Sequence, residues 1–183
     1  NEDGLNGLWY QSGTLRMHGR DELVDDKIFF KFWDRVRKLN IPVFWMLTSV
    51  NPNKEVYLNK LNAFTNWLKK YDDIQVVFTH GLSLSTFSNG DKFEIPDEAW
   101  KALDSQNLIS EILFPIAFGQ SWDYPFKESY SVIKEYYQRL GPDRLAWGSD
   151  MPNVERYCTY KQSIDYIRKY CNFLSVQDKN KIF

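Results

Sequence analysis

Five short segments rich in β-branched and aromatic residues alternate with longer amphipathic segments, and this alternation most constrains the fold. The predicted strands cover residues 4–12, 41–50, 74–80, 107–114 and 144–150. Strands that are apolar along most of their length are typical of parallel sheets buried on both faces. Parallel neighbours need long crossover connections, which helices normally supply. The sequence therefore predicts an α/β fold with a parallel sheet covered by helices.

Apolar residues recur at helical spacing between the predicted strands. The predicted helices cover residues 27–39, 55–71, 97–104, 126–140 and 160–171. The apolar stripe of the first comprises Ile28, Phe29, Phe32, Trp33, Val36 and Leu39, and that of the second comprises Tyr57, Leu61, Phe64, Leu68 and Tyr71. No segment has the composition of a linker, so residues 1–183 are expected to form a single domain.

Charge and composition exclude several classes of partner. The 23 basic and 24 acidic residues nearly cancel, which gives no broad attraction for nucleic acid or an anionic membrane. The apolar runs are far shorter than the roughly 20 residues that span a bilayer. Cys158 and Cys171 lie in no CxxC motif or Cys/His cluster, which argues against a disulfide framework or a structural zinc site. We expect a cytoplasmic protein that binds a small-molecule substrate, and homo-oligomerisation stays open.

Ionisable and polar residues follow the predicted strands. In parallel α/β folds the carboxyl ends of the strands converge and carry the functional groups. The candidates in strand order are Arg16 and His18, Thr48 and Ser49, His80, Glu111, and Asp150. A histidine, a glutamate and an aspartate from separate strands predict a divalent-metal site or an acid–base site.

Each candidate also has an ordinary structural interpretation. His80 could cap its strand through a neighbouring carbonyl, and Glu111 could pair with a buried cation. Asp150 could be a turn residue that bonds its own backbone, and His18 could simply be solvated. The joint placement of His80, Glu111 and Asp150 at equivalent strand ends is harder to explain in this way.

Several segments resemble the amidohydrolase-related family, a branch of the amidohydrolase superfamily. Residues 143–152, DRLAWGSDMP, resemble its last barrel strand, and residues 76–81, VVFTHG, resemble its sixth strand. Residues 4–13 resemble its fourth strand, and residues 27–45 resemble the helix and fifth strand that follow. The resemblance implies a parallel (β/α)₈ barrel of the TIM type, present here as an incomplete barrel of about five strand–helix units. A complete barrel takes about 250 residues, so we expect the natural protein to be longer.

The resemblance also implies roles for individual residues. His80 would be the sixth-strand metal ligand or substrate contact, and Asp150 the eighth-strand carboxylate that binds the metal and takes a proton from the attacking water. The expected cofactor is a divalent metal, with zinc the first choice. Two departures bear on the metal. The fifth strand offers Thr48 and Ser49 where metal-dependent members have a histidine, and the family's first-strand His-x-His pair lies outside this chain.

Three hypotheses follow. The first is a metal-dependent hydrolase acting on a small cyclic or carboxylated substrate, with His80 and Asp150 at the metal and Arg16, His18 and Glu111 as substrate contacts. The second keeps the barrel without the ion, as a metal-independent lactonase or a non-oxidative decarboxylase in which Asp150 is the base. The third is a non-catalytic α/β scaffold that binds a partner.

Overall fold

A computed structural model describes residues 4, 6–20, 22–47, 53–89, 92–113 and 123–183. Five parallel strands form its main sheet: β1 (Leu8–Gln11), β2 (Val43–Met46), β3 (Val76–Thr79), β6 (Leu108–Leu113) and β7 (Leu145–Gly148). Their order in the sheet is β1-β2-β3-β6-β7. The strands β4 (Ser88–Asn89) and β5 (Lys92–Phe93) form a small antiparallel hairpin. The predicted parallel sheet is therefore confirmed, with strands shorter than predicted because their ends turn into the loops.

Helices connect the strands of the main sheet. The α-helices are Ser12–Met17, Phe30–Leu39, Lys54–Lys70, Asp97–Lys101, Tyr130–Leu140, Tyr160–Asp165 and Val176–Ile182, and a π-helical turn, Tyr166–Tyr170, extends the sixth of these. Short 3₁₀ turns occupy Lys27–Phe29, Leu84–Phe87, Lys127–Ser129, Pro142–Arg144 and Asn153–Arg156. In the described part of the chain, no helix has both the length and the apolar character that crossing a membrane requires.

Side-chain caps set several of the helix starts. The side chain of Asn53 accepts a hydrogen bond from the amide of Val56 at 3.1 Å and opens Lys54–Lys70. Thr159 and Gln162 form a capping box at the start of Tyr160–Asp165. Each cap satisfies amides that the helix itself leaves unpaired.

The helices cover only one face of the sheet, so the prediction that the strands are buried on both faces is wrong. On the helix side Val43, Trp45 and Phe78 have no exposed surface, whereas Trp9 is 56% and Phe44 37% exposed on the other side. The strand order increases steadily along the sheet, and right-handed crossovers then place every helix on the same face. This arrangement is that of a barrel wall, with an outer face covered by helices.

Two further expectations need correction. The sequence predicts a strand up to Ser12 and a loop after it, whereas Ser12–Met17 forms a helix. The apolar stripe of residues 27–39 is only partly buried, because Ile28 is 54% and Phe32 49% exposed while Trp33 and Val36 are buried. This helix packs beside β1 at the edge of the sheet, so only the side that faces β1 and β2 is covered.

Three tryptophans join two helices to the sheet. Trp45 of β2 lies 5.6 Å from Trp33 of Phe30–Leu39 and 4.7 Å from Trp67 of Lys54–Lys70, measured between ring centroids. Trp33 and Trp67 meet edge to face at 4.9 Å. All three side chains are at most 1% exposed. Aromatic side chains of this size contribute much of the stability of a core.

Replacing Trp67 by alanine should destabilise the protein by about 3–5 kcal/mol, because it leaves a large cavity among closely packed rings. Trp9, which is 56% exposed, is the matched control, and Trp9→Ala should cost less than about 1 kcal/mol. Urea unfolding followed by circular dichroism measures both free energies. Equal losses for the two variants would contradict this account of the core.

Candidate functional site

His80 follows β3 directly and has an unusual backbone conformation. Its φ is 70°, in the left-handed region, and the next residue, Gly81, has a φ of 62°. The amide of His80 donates a hydrogen bond of 2.8 Å to Oε2 of Glu111 on the neighbouring strand β6. Side chains other than glycine adopt this conformation only rarely. The chain therefore turns sharply where β3 ends and presents the imidazole at the carboxyl end of the sheet.

Asp150 approaches the imidazole from the other side. It lies two residues beyond β7, and its φ of 54° is also left-handed. Its Oδ1 is 3.8 Å from Nε2 of His80. Asn153 donates a hydrogen bond of 3.3 Å from its side-chain amide to the same Oδ1. The carboxylate thus has a fixed direction, and only 17% of its side chain is exposed.

Glu111 lies on β6, the strand between β3 and β7. Its Oε2 is 4.0 Å from Nδ1 of His80. Its carboxylate fills the space beside Gly148 of β7, where an added Cβ would come within 1.9 Å of Oε1. A side chain at position 148 would therefore have to displace the Glu111 carboxylate.

Burial shifts the pKa values of two of these groups in opposite directions. It lowers the pKa of His80 below its ordinary value of 6.5, and the negative charge of Asp150 opposes part of that change. Burial also raises the pKa of Glu111; the hydrogen bond from the His80 amide counteracts this effect, and the charge of Asp150 adds to it. His80 is consequently neutral at neutral pH, the form in which an imidazole can bind a metal or accept a proton.

The spacing of His80 and Asp150 suits a shared metal ion. Bonds from zinc to a histidine nitrogen and to a carboxylate oxygen are each about 2.0–2.2 Å. An ion between Nε2 and Oδ1 could therefore bond to both atoms across their 3.8 Å separation. Within the described residues, no cluster of three or more His, Cys, Asp or Glu side chains could hold a metal. This pair would thus supply two ligands, and the others would come from water, substrate or residues outside the described part.

The structure brings His80, Glu111 and Asp150 together and places His18 away from them. His18 is exposed in the turn after Ser12–Met17, and no hydrogen bond or ion pair between described residues connects it to these three. Arg16 lies in Ser12–Met17, but its side chain is outside the described part of the structure. Thr48 and Ser49 also lie outside the described residues.

Three residues around the site were not found by sequence reasoning. Asn153 bonds Asp150, and the hydroxyl groups of Tyr57 and Tyr136 accept hydrogen bonds from the amides of the turn after His80. Tyr57 belongs to the apolar stripe of residues 55–71, so its spacing indicated only core packing, and the stripe predicted for residues 126–140 contains Tyr137 rather than Tyr136. Asn153 comes three residues after Asp150, a separation typical of local turn contacts, and this was the one available signal.

Replacing Gly148 by alanine should displace the Glu111 carboxylate and break its hydrogen bond to the His80 amide. We expect a loss of about 1–3 kcal/mol in the free energy of unfolding, because a buried amide loses its acceptor. In the double variant Gly148→Ala/Glu111→Ala the clash is absent, so its loss should be smaller than the sum of the two single losses. Purely additive losses in urea unfolding would argue against this contact.

The NMR signal of the His80 Cε1 proton should report an imidazole pKa below 6.5 in the folded protein. Asp150→Asn should lower that pKa further. The unfolded chain then binds the proton first, so the stability from this group is present above about pH 6.5 and is lost as pH falls towards the folded pKa. Proton NMR measures the titration, with His18→Asn to assign the signal. Asp72→Asn, beyond the opposite end of β3, removes the same charge and should leave the His80 pKa unchanged.

Comparisons with known proteins identify the family and the fold class of the chain. An amidohydrolase of Burkholderia multivorans with bound zinc superimposes with a TM-score of 0.69 at 14% identity, covering 97% of this chain and 61% of that one. A probable 2-pyrone-4,6-dicarboxylic acid hydrolase of Acinetobacter baumannii with bound citric acid gives 0.67 at 18% identity, covering 100% and 62%. A dihydroxybenzoic acid decarboxylase of Polaromonas with manganese and the inhibitor 2-nitroresorcinol gives 0.55 at 14% identity, covering 87% and 52%.

These similarities confirm the fold class. A TIM-barrel protein of Bordetella bronchiseptica is a further structural neighbour, with a TM-score of 0.62 at 16% identity, covering 99% of this chain and 55% of that one. The five-stranded sheet with helices on one face is thus consistent with an incomplete (β/α)₈ barrel. The chain spans about 61% of the length of the Burkholderia neighbour.

The sequence comparisons agree with the structural ones. No curated protein matches the sequence. The family model for amidohydrolases, in contrast, matches residues 13–183, which is most of the chain. It includes the strands that carry His80, Glu111 and Asp150. The chain belongs to the amidohydrolase family.

Proposed function

We propose that this protein is a metal-dependent hydrolase that acts on a small cyclic or carboxylated substrate. The observation that carries the proposal is the 3.8 Å separation of His80 Nε2 and Asp150 Oδ1, at the carboxyl ends of β3 and β7. Active sites of (β/α)₈ barrels form at this end of the strands. Zinc and manganese occur in two of the structural neighbours, and either ion is compatible with a nitrogen and an oxygen ligand.

The two residues would have complementary roles. His80 is neutral at neutral pH because burial lowers its pKa, so its Nε2 can bind an ion without first losing a proton. A bound divalent ion would lower the pKa of a coordinated water towards 7. Asp150 would hold the ion together with His80 and would serve as the general base that accepts a proton during hydrolysis. Asn153 donates to Oδ1 of Asp150 and keeps the carboxylate directed at the site during this transfer.

The proposed class of substrate rests on the neighbours and on the residues after β1. A probable 2-pyrone-4,6-dicarboxylic acid hydrolase is named for a lactone that carries two carboxylates. Arg16 follows β1, and a guanidinium group can bind a carboxylate through two hydrogen bonds. We propose as substrate contacts Arg16, in the helix Ser12–Met17, and His18, in the turn that follows it. Glu111 would mainly position His80, because its carboxylate already accepts a hydrogen bond from the His80 amide.

A second candidate function keeps the barrel without the ion. Strand β2 ends at Met46 and Leu47 follows it, so the described residues at this strand end include no histidine. Asp150 could then act as the general base on water or on a substrate proton, with His80 stabilising developing negative charge. A metal-independent lactonase or a non-oxidative decarboxylase would work in this way.

We expect the protein to bind Zn²⁺ or Mn²⁺ stoichiometrically and to lose that binding in His80→Ala, as measured by calorimetric titration. His18→Ala removes the only other histidine and should still bind the ion. With 2-pyrone-4,6-dicarboxylate or a related lactone, Asp150→Asn should reduce kcat about 10²–10⁴-fold, the range for loss of a general base.

Three outcomes separate the hypotheses. Activity that disappears on chelation and returns with the metal supports the hydrolase proposed above. Activity that survives exhaustive chelation supports the metal-independent enzyme. A folded protein that turns over no lactone or aromatic carboxylic acid, with or without metal, would leave the non-catalytic binding scaffold.

A further inference from the structure

The turn that carries His80 has two consecutive left-handed residues. His80 has a φ of 70° and Gly81 a φ of 62°. A histidine in this conformation is strained, and such a residue persists only where its surroundings determine it. If φ at His80 became negative, its side chain would leave the backbone in a different direction and lose its position beside Asp150. The contacts that hold this turn therefore decide where the imidazole points.

Three side chains from three different elements accept hydrogen bonds from the amides of this turn. Oε2 of Glu111, on β6, accepts a hydrogen bond of 2.8 Å from the amide of His80. The hydroxyl of Tyr136, in the helix Tyr130–Leu140, accepts a hydrogen bond of 2.7 Å from the amide of Leu82. The hydroxyl of Tyr57, in the helix Lys54–Lys70, accepts one of 2.9 Å from the amide of Ser83. We call Glu111, Tyr136 and Tyr57 the amide clamp.

Burial makes the two hydroxyl groups hard to replace. Tyr57 has no exposed surface and Tyr136 is 6% exposed; the hydrogen bond to the Leu82 amide is buried, and the one to the Ser83 amide is partly buried. Burial also raises the pKa of both tyrosines, which therefore stay neutral. A phenylalanine ring would fill nearly the same space but would leave a buried amide without an acceptor, and that loss is costly.

Gly81 fits this arrangement closely. A Cβ at Gly81 would lie 2.9 Å from the hydroxyl oxygen of Tyr136 and 3.0 Å from the carbonyl oxygen of Glu111. The backbone of the turn thus approaches two members of the amide clamp too closely to carry a side chain. The turn is held by direct contact as well as by hydrogen bonds.

We propose that Tyr57 and Tyr136, together with Glu111, are positioning residues that direct the His80 imidazole towards Asp150. The hydroxyl groups act through the backbone of the turn. The consequence for metal binding rests on the function proposed above, whereas the orientation of His80 in the metal-free protein does not. Residues that orient a metal ligand typically change metal affinity about 10–100-fold when they are mutated.

The test compares Tyr136→Phe and Tyr57→Phe with matched controls. Tyr137→Phe alters the next residue of the same helix, whose hydroxyl bonds Asp178 at 2.9 Å, and Tyr71→Phe alters a hydroxyl that bonds Asp34 at 3.3 Å. Amide exchange and the imidazole signals of His80 are followed by NMR in the metal-free protein. Zn²⁺ affinity is measured separately, by competition with a chromophoric chelator.

We expect the Leu82 amide in Tyr136→Phe, and the Ser83 amide in Tyr57→Phe, to exchange about 10-fold faster or more than in the unmodified protein. The His80 imidazole signals should shift in both variants, and Zn²⁺ binding should weaken about 10-fold or more. Tyr137→Phe and Tyr71→Phe should leave the His80 signals and the Zn²⁺ affinity unchanged, whatever they do to stability.

Unchanged His80 signals in both clamp variants would overturn the proposal, as would shifts of equal size in the control variants. If Tyr136→Phe fails to fold, Tyr57→Phe decides in the same way. Rapid exchange of the Leu82 and Ser83 amides in the unmodified protein would also overturn it, without any variant. A protein that binds no Zn²⁺ but shows the shifted His80 signals would contradict the metal-dependent function and still support the amide clamp.

Discussion

The register of three neighbouring parallel strands is the constraint on which the site depends. Ser110 of β6 pairs with Phe78 of β3 on one side and with Leu145 of β7 on the other. Adjacent strands lie about 4.8 Å apart, so side chains at their carboxyl ends can touch. His80 and Glu111 are 31 residues apart in sequence, yet this pairing places the amide of one against the carboxylate of the other. A slip of one residue in β6 would turn Glu111 to the helix side and remove the contact.

The carboxylate of Glu111 links the backbone of the site to its electrostatics. Burying a carboxylate is unfavourable unless hydrogen bonds compensate, and here the His80 amide supplies one of them. The same group occupies the space beside Gly148 and lies 4.0 Å from Nδ1 of His80. With Asp150 3.8 Å from Nε2, the imidazole lies between two carboxyl groups, and burial nevertheless keeps it neutral at neutral pH. The balance favours the neutral imidazole because desolvation outweighs the attraction of Asp150.

The spacing of apolar residues predicted where helices and strands form more accurately than it predicted how exposed their apolar side chains are. The stripe of residues 55–71 predicted a buried helix face, and Tyr57, Phe64 and Tyr71 are indeed at most 1% exposed. The stripe of residues 27–39 has the same spacing, yet Phe32 is 49% exposed. The difference arises because one helix packs over the middle of the sheet and the other at its edge. Where a helix packs on the sheet depends on the tertiary structure, so the spacing of its apolar residues cannot predict it.

The candidate site was predicted in the same incomplete way. Strand ends and residue types were enough to single out His80, Glu111 and Asp150 and to expect them at one edge of a parallel sheet. They could not show that Glu111 accepts the amide of His80, because that contact depends on the register between two strands. They also gave no role to the hydroxyl groups of Tyr57 and Tyr136. An aromatic residue in a predicted stripe, such as Tyr57, looks the same with or without a hydroxyl group that binds a distant amide, and Tyr136 lies outside the predicted stripe of its helix.

The sequence by itself determined the alternation of strands and helices, the parallel sheet, the family and the three ionisable residues at the strand ends. These features follow from local chemistry, such as the spacing of apolar residues and the motif around Asp150, and need no knowledge of which strands are neighbours. Only the tertiary structure decided which face of the sheet is covered, the left-handed turn at His80 and the three side chains that bind its amides. Those features arise from contacts between residues far apart in the chain, whose geometry is set by strand register and helix packing.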